Sequence, residues 1–250
     1  MTAEHPKLQN KTIDMNLFLS ELIGTAFLIL LGNGVVANVV LDKTKGNSSG
    51  WTVITFGWAM AVFTGVFIAA KGSGAHLNPA VSVAMAMLGR IGWVTVPQYI
   101  AAQMLGAMIG QLVVWLTYKD HYGQHTDHEA VRATFCTSPA IRNPVSNLIT
   151  EAVGTCVLVL GVLFMSSPAA TLGTLDALPV ALLVLAIGLS LGGPTGYAIN
   201  PARDLGPRIV HFILPLRHKG HSDWSYAWVP VAGPLAGAVM AVLIFNGIAD

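Results

Sequence analysis

The fold class this sequence predicts is an all-α membrane protein: six transmembrane helices and two re-entrant half-helices, arranged as an inverted repeat. Three observations predict it. Charged residues are scarce, with Lys and Arg totalling 13 and Asp and Glu 12, or 10% of 250 residues, against about 25% in a soluble domain. Six apolar stretches approach the ~20 residues that a helix needs to cross a bilayer. A short motif, Asn-Pro-Ala, occurs twice at matched places in the two halves.

Composition excludes other classes. Hydrophobic residues reach 54%, too many for a soluble chain to cover with polar surface, and disordered chains are poor in them. A net charge of +1 gives no basic patch for nucleic acid. Cys136 and Cys156 supply neither a disulfide framework nor a zinc spacing. No metal or cofactor is expected, and no nucleophile–base pairing suggests an enzyme.

In chain order, the spans run about Asn16–Leu41, Thr52–Ala70, Val94–Tyr118, Val145–Ser166, Leu178–Gly193 and Tyr226–Ile248. Trp51, Trp93, Trp115, Tyr118, Trp224, Tyr226 and Trp228 near their ends fit an interfacial aromatic belt. Asn78–Leu88 and Asn200–Leu214 are apolar but too short to span. Each opens with Asn, a favoured N-cap, then Pro, favoured at the first helical position because its missing N–H needs no partner there. Both read as short helices. Lys119–Asn143, the longest polar stretch, reads as a surface loop.

The two halves repeat. Glu21-Leu22-Ile23-Gly24-Thr25 matches Glu151-Ala152-Val153-Gly154-Thr155, and Gly74 to Ala80 matches Gly196 to Ala202. A Gly-x-x-x-Gly recurs at Gly106 and Gly110 and at Gly233 and Gly237, a spacing that lets helices approach closely. The chain thus reads as one domain over 1–250, with repeats at about 16–118 and 145–248. Three spans per copy is an odd number, so the second copy enters the membrane from the opposite side. The Asn-Pro-Ala loops then dip in from opposite faces, and irregular backbone at that depth must be buried in protein or line a wet cavity.

Two half-helices whose N-termini meet at mid-membrane aim positive dipole ends at one place, which repels cations and hydronium. Asn78 and Asn200 can donate to a passing oxygen, and the carbonyls of Gly74, Ala75, His76, Leu77, Ala198 and Ile199 can accept from the same molecule. Such a path suits neutral hydroxylic solutes.

The paired motifs Asn78-Pro79-Ala80 and Asn200-Pro201-Ala202-Arg203-Asp204 resemble those of the aquaporin superfamily, over nearly the whole chain. The resemblance implies a homotetramer in which each protomer carries its own pore, with no cofactor. Asp204 resembles the glycerol-facilitator branch. Counting from the motifs, Trp58, Gly188, Tyr197 and Arg203 match the selectivity filter. Trp58 and Tyr197 would offer an apolar corner to the C–H edge of a polyol, Arg203 would bind its hydroxyls, and Gly188 would leave room. Tyr197 departs from the Phe of the best-known facilitator. Partners implied are the lipid bilayer and small neutral solutes, glycerol and water first. Lactic acid, dihydroxyacetone, urea and hydrogen peroxide stand as alternative cargoes.

Glu21 and Glu151 are intramembrane carboxylates, which are functional by default. Either they accept hydrogen bonds from the half-helix loops, as the resemblance implies, or they couple protons in a secondary transporter. His121, His125 and His128 read as solvated loop residues, as do His211, His218 and His221. His76 lines the pore or packs beneath it. The lack of a signal peptide and the bacterial-type filter suggest a bacterial plasma membrane. The resemblance implies cytoplasmic termini, with Lys7 and Lys11 ahead of the first helix; the Lys and Arg count over all loops favours the opposite orientation.

Overall fold

The computed structural model describes residues 15–165 and 175–249. Lys7 and Lys11, on which the expected orientation rests, lie outside them, as does most of the connection after the fourth span.

Ten α-helices occur among the described residues. They are α1 Leu17–Val40, α2 Trp51–Ser73, α3 Pro79–Met87, α4 Val96–Thr117, α5 Lys119–Gln124, α6 His128–Ala133, α7 Pro144–Met165, α8 Leu178–Leu191, α9 Pro201–Ile213 and α10 Val229–Ala249. Five are long and apolar enough to cross a bilayer: α1, α2, α4, α7 and α10. The expected fifth span is shorter than predicted. Helix α8 has 14 residues, a rise of about 21 Å, because Gly192 and Gly193 end it early and open the loop into the second motif. The two short helices start as expected, at Pro79 and Pro201. Asn78 Oδ1 accepts from Ala80 N–H, and Asn200 Oδ1 from Ala202 and Arg203 N–H, satisfying donors that a helix start otherwise leaves open.

Packing repeats across the two halves. A Cβ on Gly106 or Gly110 would stand 2.3 Å from the carbonyl oxygens of Leu22 and Ala26 on α1. One on Gly237 would stand 2.2 Å from that of Ala152 on α7. Only glycine permits these backbones to touch, so α4 lies on α1 as α10 lies on α7. The same logic explains the Glu-x-x-Gly repeat. Added methyls at Gly24 and Gly154 would meet the Leu77 and Ile199 side chains at 2.7 and 2.9 Å, so each glycine makes a seat for the residue before an Asn-Pro-Ala.

The stretch between α4 and α7 departs from the surface loop predicted. It folds into α5, α6 and a return segment, burying Tyr122, Val131, Phe135 and Cys136 against Ala37, Leu41, Val114, Val210 and Leu214. Its polar residues outnumber its apolar ones, but the apolar ones share one side. The return segment then runs over the mouth of the bundle.

Candidate functional site

The loops before α3 and α9 carry the same backbone. Gly74, Ala75 and Leu77 have φ of 79°, 54° and 52°; Gly196, Tyr197 and Ile199 have 78°, 38° and 43°. Left-handed φ at a non-glycine costs on the order of 1–3 kcal/mol and persists only where surroundings enforce it. The two glutamates do the enforcing. Glu21 accepts from the His76 and Leu77 N–H groups at 2.9 and 2.7 Å, and from Ser73 Oγ and Gln103 Nε2 at 2.5 and 2.8 Å. Glu151 accepts from Ala198 and Ile199 N–H at 3.0 and 2.7 Å. With its N–H groups turned to a carboxylate, each loop presents its carbonyl side to the interior.

The loops meet each other crosswise. Asn78 Nδ2 donates to the Ile199 carbonyl, and Asn200 Nδ2 donates to the Leu77 carbonyl, both at 2.8 Å. Each amide nitrogen keeps a second N–H, and both asparagines line a cavity of about 150 Å³. Gly74, Ala75, His76, Leu77, Ala198 and Ile199 line it too. Pro79, Ala80, Pro201 and Ala202 sit behind, buried in the first helical turns. His76 combines both expected placements: it lines the cavity, stacks on Tyr99 at 4.3 Å, and its Nδ1 lies 3.0 Å from Ser82 Oγ.

A second cavity, about 390 Å³, opens on the side of the folded loop, which contributes Thr137, Ser138, Pro139 and Ala140 to its wall. Three residues line both cavities: Trp58, Tyr197 and Arg203. They form the neck between them. The Arg203 guanidinium carbon lies 4.1 Å from the centroid of the Trp58 ring. Among the described residues its Nη1 has no hydrogen-bond partner, and neither has the Tyr197 hydroxyl. Gly188, expected to leave room in the neck, lines neither cavity. Its missing Cβ position lies 2.9 Å from Tyr197 Cζ; the tyrosine ring takes the space that the glycine vacates.

Among the described residues Arg203 forms no ion pair, because the neighbouring carboxylate is engaged elsewhere. Asp204 accepts from Arg208 Nε and Nη2 at 2.8 and 3.1 Å, and from the Thr137 N–H and Oγ1 at 2.7 Å. Arg208 further donates to the Ser222, Asp223 and Thr137 carbonyls. Both side chains are fully buried. The pair ties α9 to the folded loop and to the segment before α10. Asp204→Asn, which leaves Arg208 charged and half-paired, is expected to lose about 3–5 kcal/mol of stability, and Asp204→Asn/Arg208→Met to lose less. Thermal unfolding of the detergent-solubilised variants checks the order.

Outside the membrane-spanning segments, Asp223 is part of the same stitching. Partial burial raises its carboxyl, but hydrogen bonds from Arg142 and Ser225 outweigh this and hold it below the usual carboxylate range. Of the loop histidines, His125 pairs with Asp42 at 2.9 Å, His121 Nδ1 lies 3.0 Å from the Asp42 carbonyl, and His128 Nδ1 2.7 Å from that of His218. His211, expected as a solvated loop residue, instead lies in α9, buried, with Nδ1 2.8 Å from Ser222 Oγ.

Two contributors escape sequence reasoning. Trp51, assigned to the aromatic belt, donates its indole N–H to the Gly188 carbonyl at 3.0 Å and meets the Tyr197 ring edge-on at 5.8 Å. Its spacing of seven residues from Trp58 puts both on one helix face, a signal the sequence does carry. Arg208 carries a weaker one, its i,i+4 spacing from Asp204.

A profile of the major intrinsic protein family matches residues 8–245. The chain is 56% identical to a glycerol uptake facilitator protein of Streptococcus pneumoniae over 234 residues, 93% of this chain and 99% of that one. It is 39% identical to a D/L-lactic acid transporter of Lactiplantibacillus plantarum, covering 92% and 96%. The X-ray structure of the aquaglyceroporin from Plasmodium falciparum superposes with a TM-score of 0.83 at 32% identity, covering 92% and 94%. The paired Asn-Pro-Ala loops, the membrane-spanning bundle around them and these likenesses together make the chain a multi-pass membrane protein of the major intrinsic protein family.

Proposed function

We propose that the protein is a passive channel for glycerol and other small uncharged solutes, with water, that excludes ions and protons. The observation carrying this reading is the neck at Trp58, Tyr197 and Arg203. Ring faces on one side suit the C–H edge of a polyol. A guanidinium nitrogen and a phenol hydroxyl, both without hydrogen-bond partners among the described residues, suit its hydroxyls. Gly188 acts indirectly, by letting Tyr197 sit back. The asparagines, with Leu77, Ile199 and the neighbouring carbonyls, then pass the solute along as donors and acceptors that replace its hydration.

Glu21 and Glu151 act as braces rather than proton carriers, since both oxygens of each accept backbone or side-chain donors. Asp204 keeps Arg203 free of an internal counter-ion by holding Arg208. We further propose that the whole chain, 1–250, is one channel domain of two repeats, about 16–118 and 145–248. It works as a homotetramer in a bacterial plasma membrane with cytoplasmic termini. Protease access to an N-terminal tag tests the orientation.

Stopped-flow light scattering on proteoliposomes tests the function. Glycerol and water are expected to equilibrate much faster than in protein-free vesicles, without dependence on a proton gradient. Glycerol flux equal to that of empty vesicles, or flux that collapses with the gradient, overturns it. Lactic acid belongs in the same series, because a relative named as a D/L-lactic acid transporter is 39% identical to this chain; faster passage of lactic acid than of glycerol would reassign the main cargo.

A further inference from the structure

We propose that Gly32, on α1 and outside both cavities, is the positioning residue that sets solute selectivity by seating Trp58. The inference rests on the channel reading above and deepens it. A Cβ built on Gly32 would lie 2.3, 2.4 and 2.6 Å from Cζ3, Cε3 and Cη2 of Trp58. Ordinary contact begins at 3.4 Å, so one methyl group must push the ring by about 1 Å. These three atoms all belong to the six-membered ring of the indole, the part that reaches furthest from the backbone.

The direction of the push follows from what surrounds the ring. Helices α1 and α2 pack closely: a Cβ built on Gly24 would lie 2.8 Å from Ala69 Cβ, and one on Gly57 2.6 Å from Val35 Cγ1. The indole itself is 4% exposed. The space it borders is the neck, where Trp58 lines both cavities and Arg203 lies against its face. A ring moved off α1 therefore moves into the neck. A solute as wide as glycerol feels that before water does, because glycerol must touch the ring and Arg203 together whereas a water molecule needs only one of them. Gly32 thus sets how far the tryptophan is withdrawn from the passage.

The test reads the ratio of glycerol to water permeability in proteoliposomes. For Gly32→Ala, glycerol permeability is expected to fall roughly tenfold while water falls roughly twofold or less, because overpacking shifts the crowded side chain. Gly57→Ala, which crowds Val35 in the same helix pair at 2.6 Å, should leave the ratio at the wild-type value. Trp58→Phe removes the reach of the indole, so Gly32→Ala/Trp58→Phe should show the same ratio as Trp58→Phe alone. An unchanged ratio in Gly32→Ala overturns the proposal, as does an equal shift in Gly57→Ala. If Gly32→Ala does not assemble, the comparison of Trp58→Phe with the double variant decides: a ratio that still shifts overturns the proposal, and a silent second substitution upholds it. Wild-type vesicles that fail to pass glycerol would refute the channel reading itself, before any variant is made.

Discussion

Replacing Arg203 with alanine is expected to turn a neutral-solute channel into one that leaks cations. A unit charge at about 4 Å from a passing cation is worth about 4 kcal/mol at an effective dielectric constant of 20, roughly three orders of magnitude in rate. The Arg203 charge is not cancelled from within, since Asp204 is spent on Arg208. The half-helix dipoles still repel cations in the variant, so the loss should be partial. Removing the side chain also strips the hydroxyl donor from the neck and leaves Trp58 facing space. Larger polyols should then enter, with glycerol no longer favoured over them. Ion currents in planar bilayers and swelling in a polyol series check both effects. Unchanged currents and unchanged polyol preference in Arg203→Ala would show that the neck is not the selective point.

Glu151→Ala is expected to give a large loss of stability together with a loss of glycerol flux. Two backbone N–H groups, those of Ala198 and Ile199, would be left without acceptors in a buried site, at about 1–3 kcal/mol each. Tyr197 and Ile199 would keep their left-handed backbone with nothing to enforce it. The loop should relax, carrying Tyr197 out of the neck and Asn200 off Leu77. Glu151→Gln retains one carbonyl acceptor and should fall between wild type and alanine. Thermal unfolding in detergent, together with glycerol flux, reads this series. A proton-coupling role predicts the opposite pattern for Glu151→Gln: intact stability and abolished coupling. Normal stability in Glu151→Ala would sink the bracing role.

The legibility of the fold in the sequence follows from which physics is local. Helix starts at Asn78 and Asn200 are local, because cap and Pro sit side by side, and they are read correctly. The pairing of α4 with α1 is announced by glycine spacing. Glu21 and Glu151 stand out because a lone carboxylate in an apolar stretch demands a partner. What escapes is contact between distant segments that share no pattern. Nothing at Gly32 points to Trp58, and nothing at Gly188 says that Tyr197, nine residues on, folds back over it. The length of α8 is misread because Gly192 and Gly193 are apolar enough to extend a hydropathy window while ending a helix. The folded loop is misread because its eight apolar residues, scattered among polar ones, lack a helical period until the chain is wrapped around α4 and α9.

The crosswise pair of asparagines has a consequence for how the protein is made. Leu77's carbonyl waits for Asn200, and Asn78's amide waits for the carbonyl of Ile199, 121 residues further along. A nascent chain that has threaded only α1 to α4 into the bilayer holds a strained loop with an unfilled donor and an unfilled acceptor at its tip. The first half therefore cannot finish before the second arrives. Whatever inserts this chain must hold the early helices loosely enough for α9 to slide in between, so the last step of biogenesis closes the two loops together.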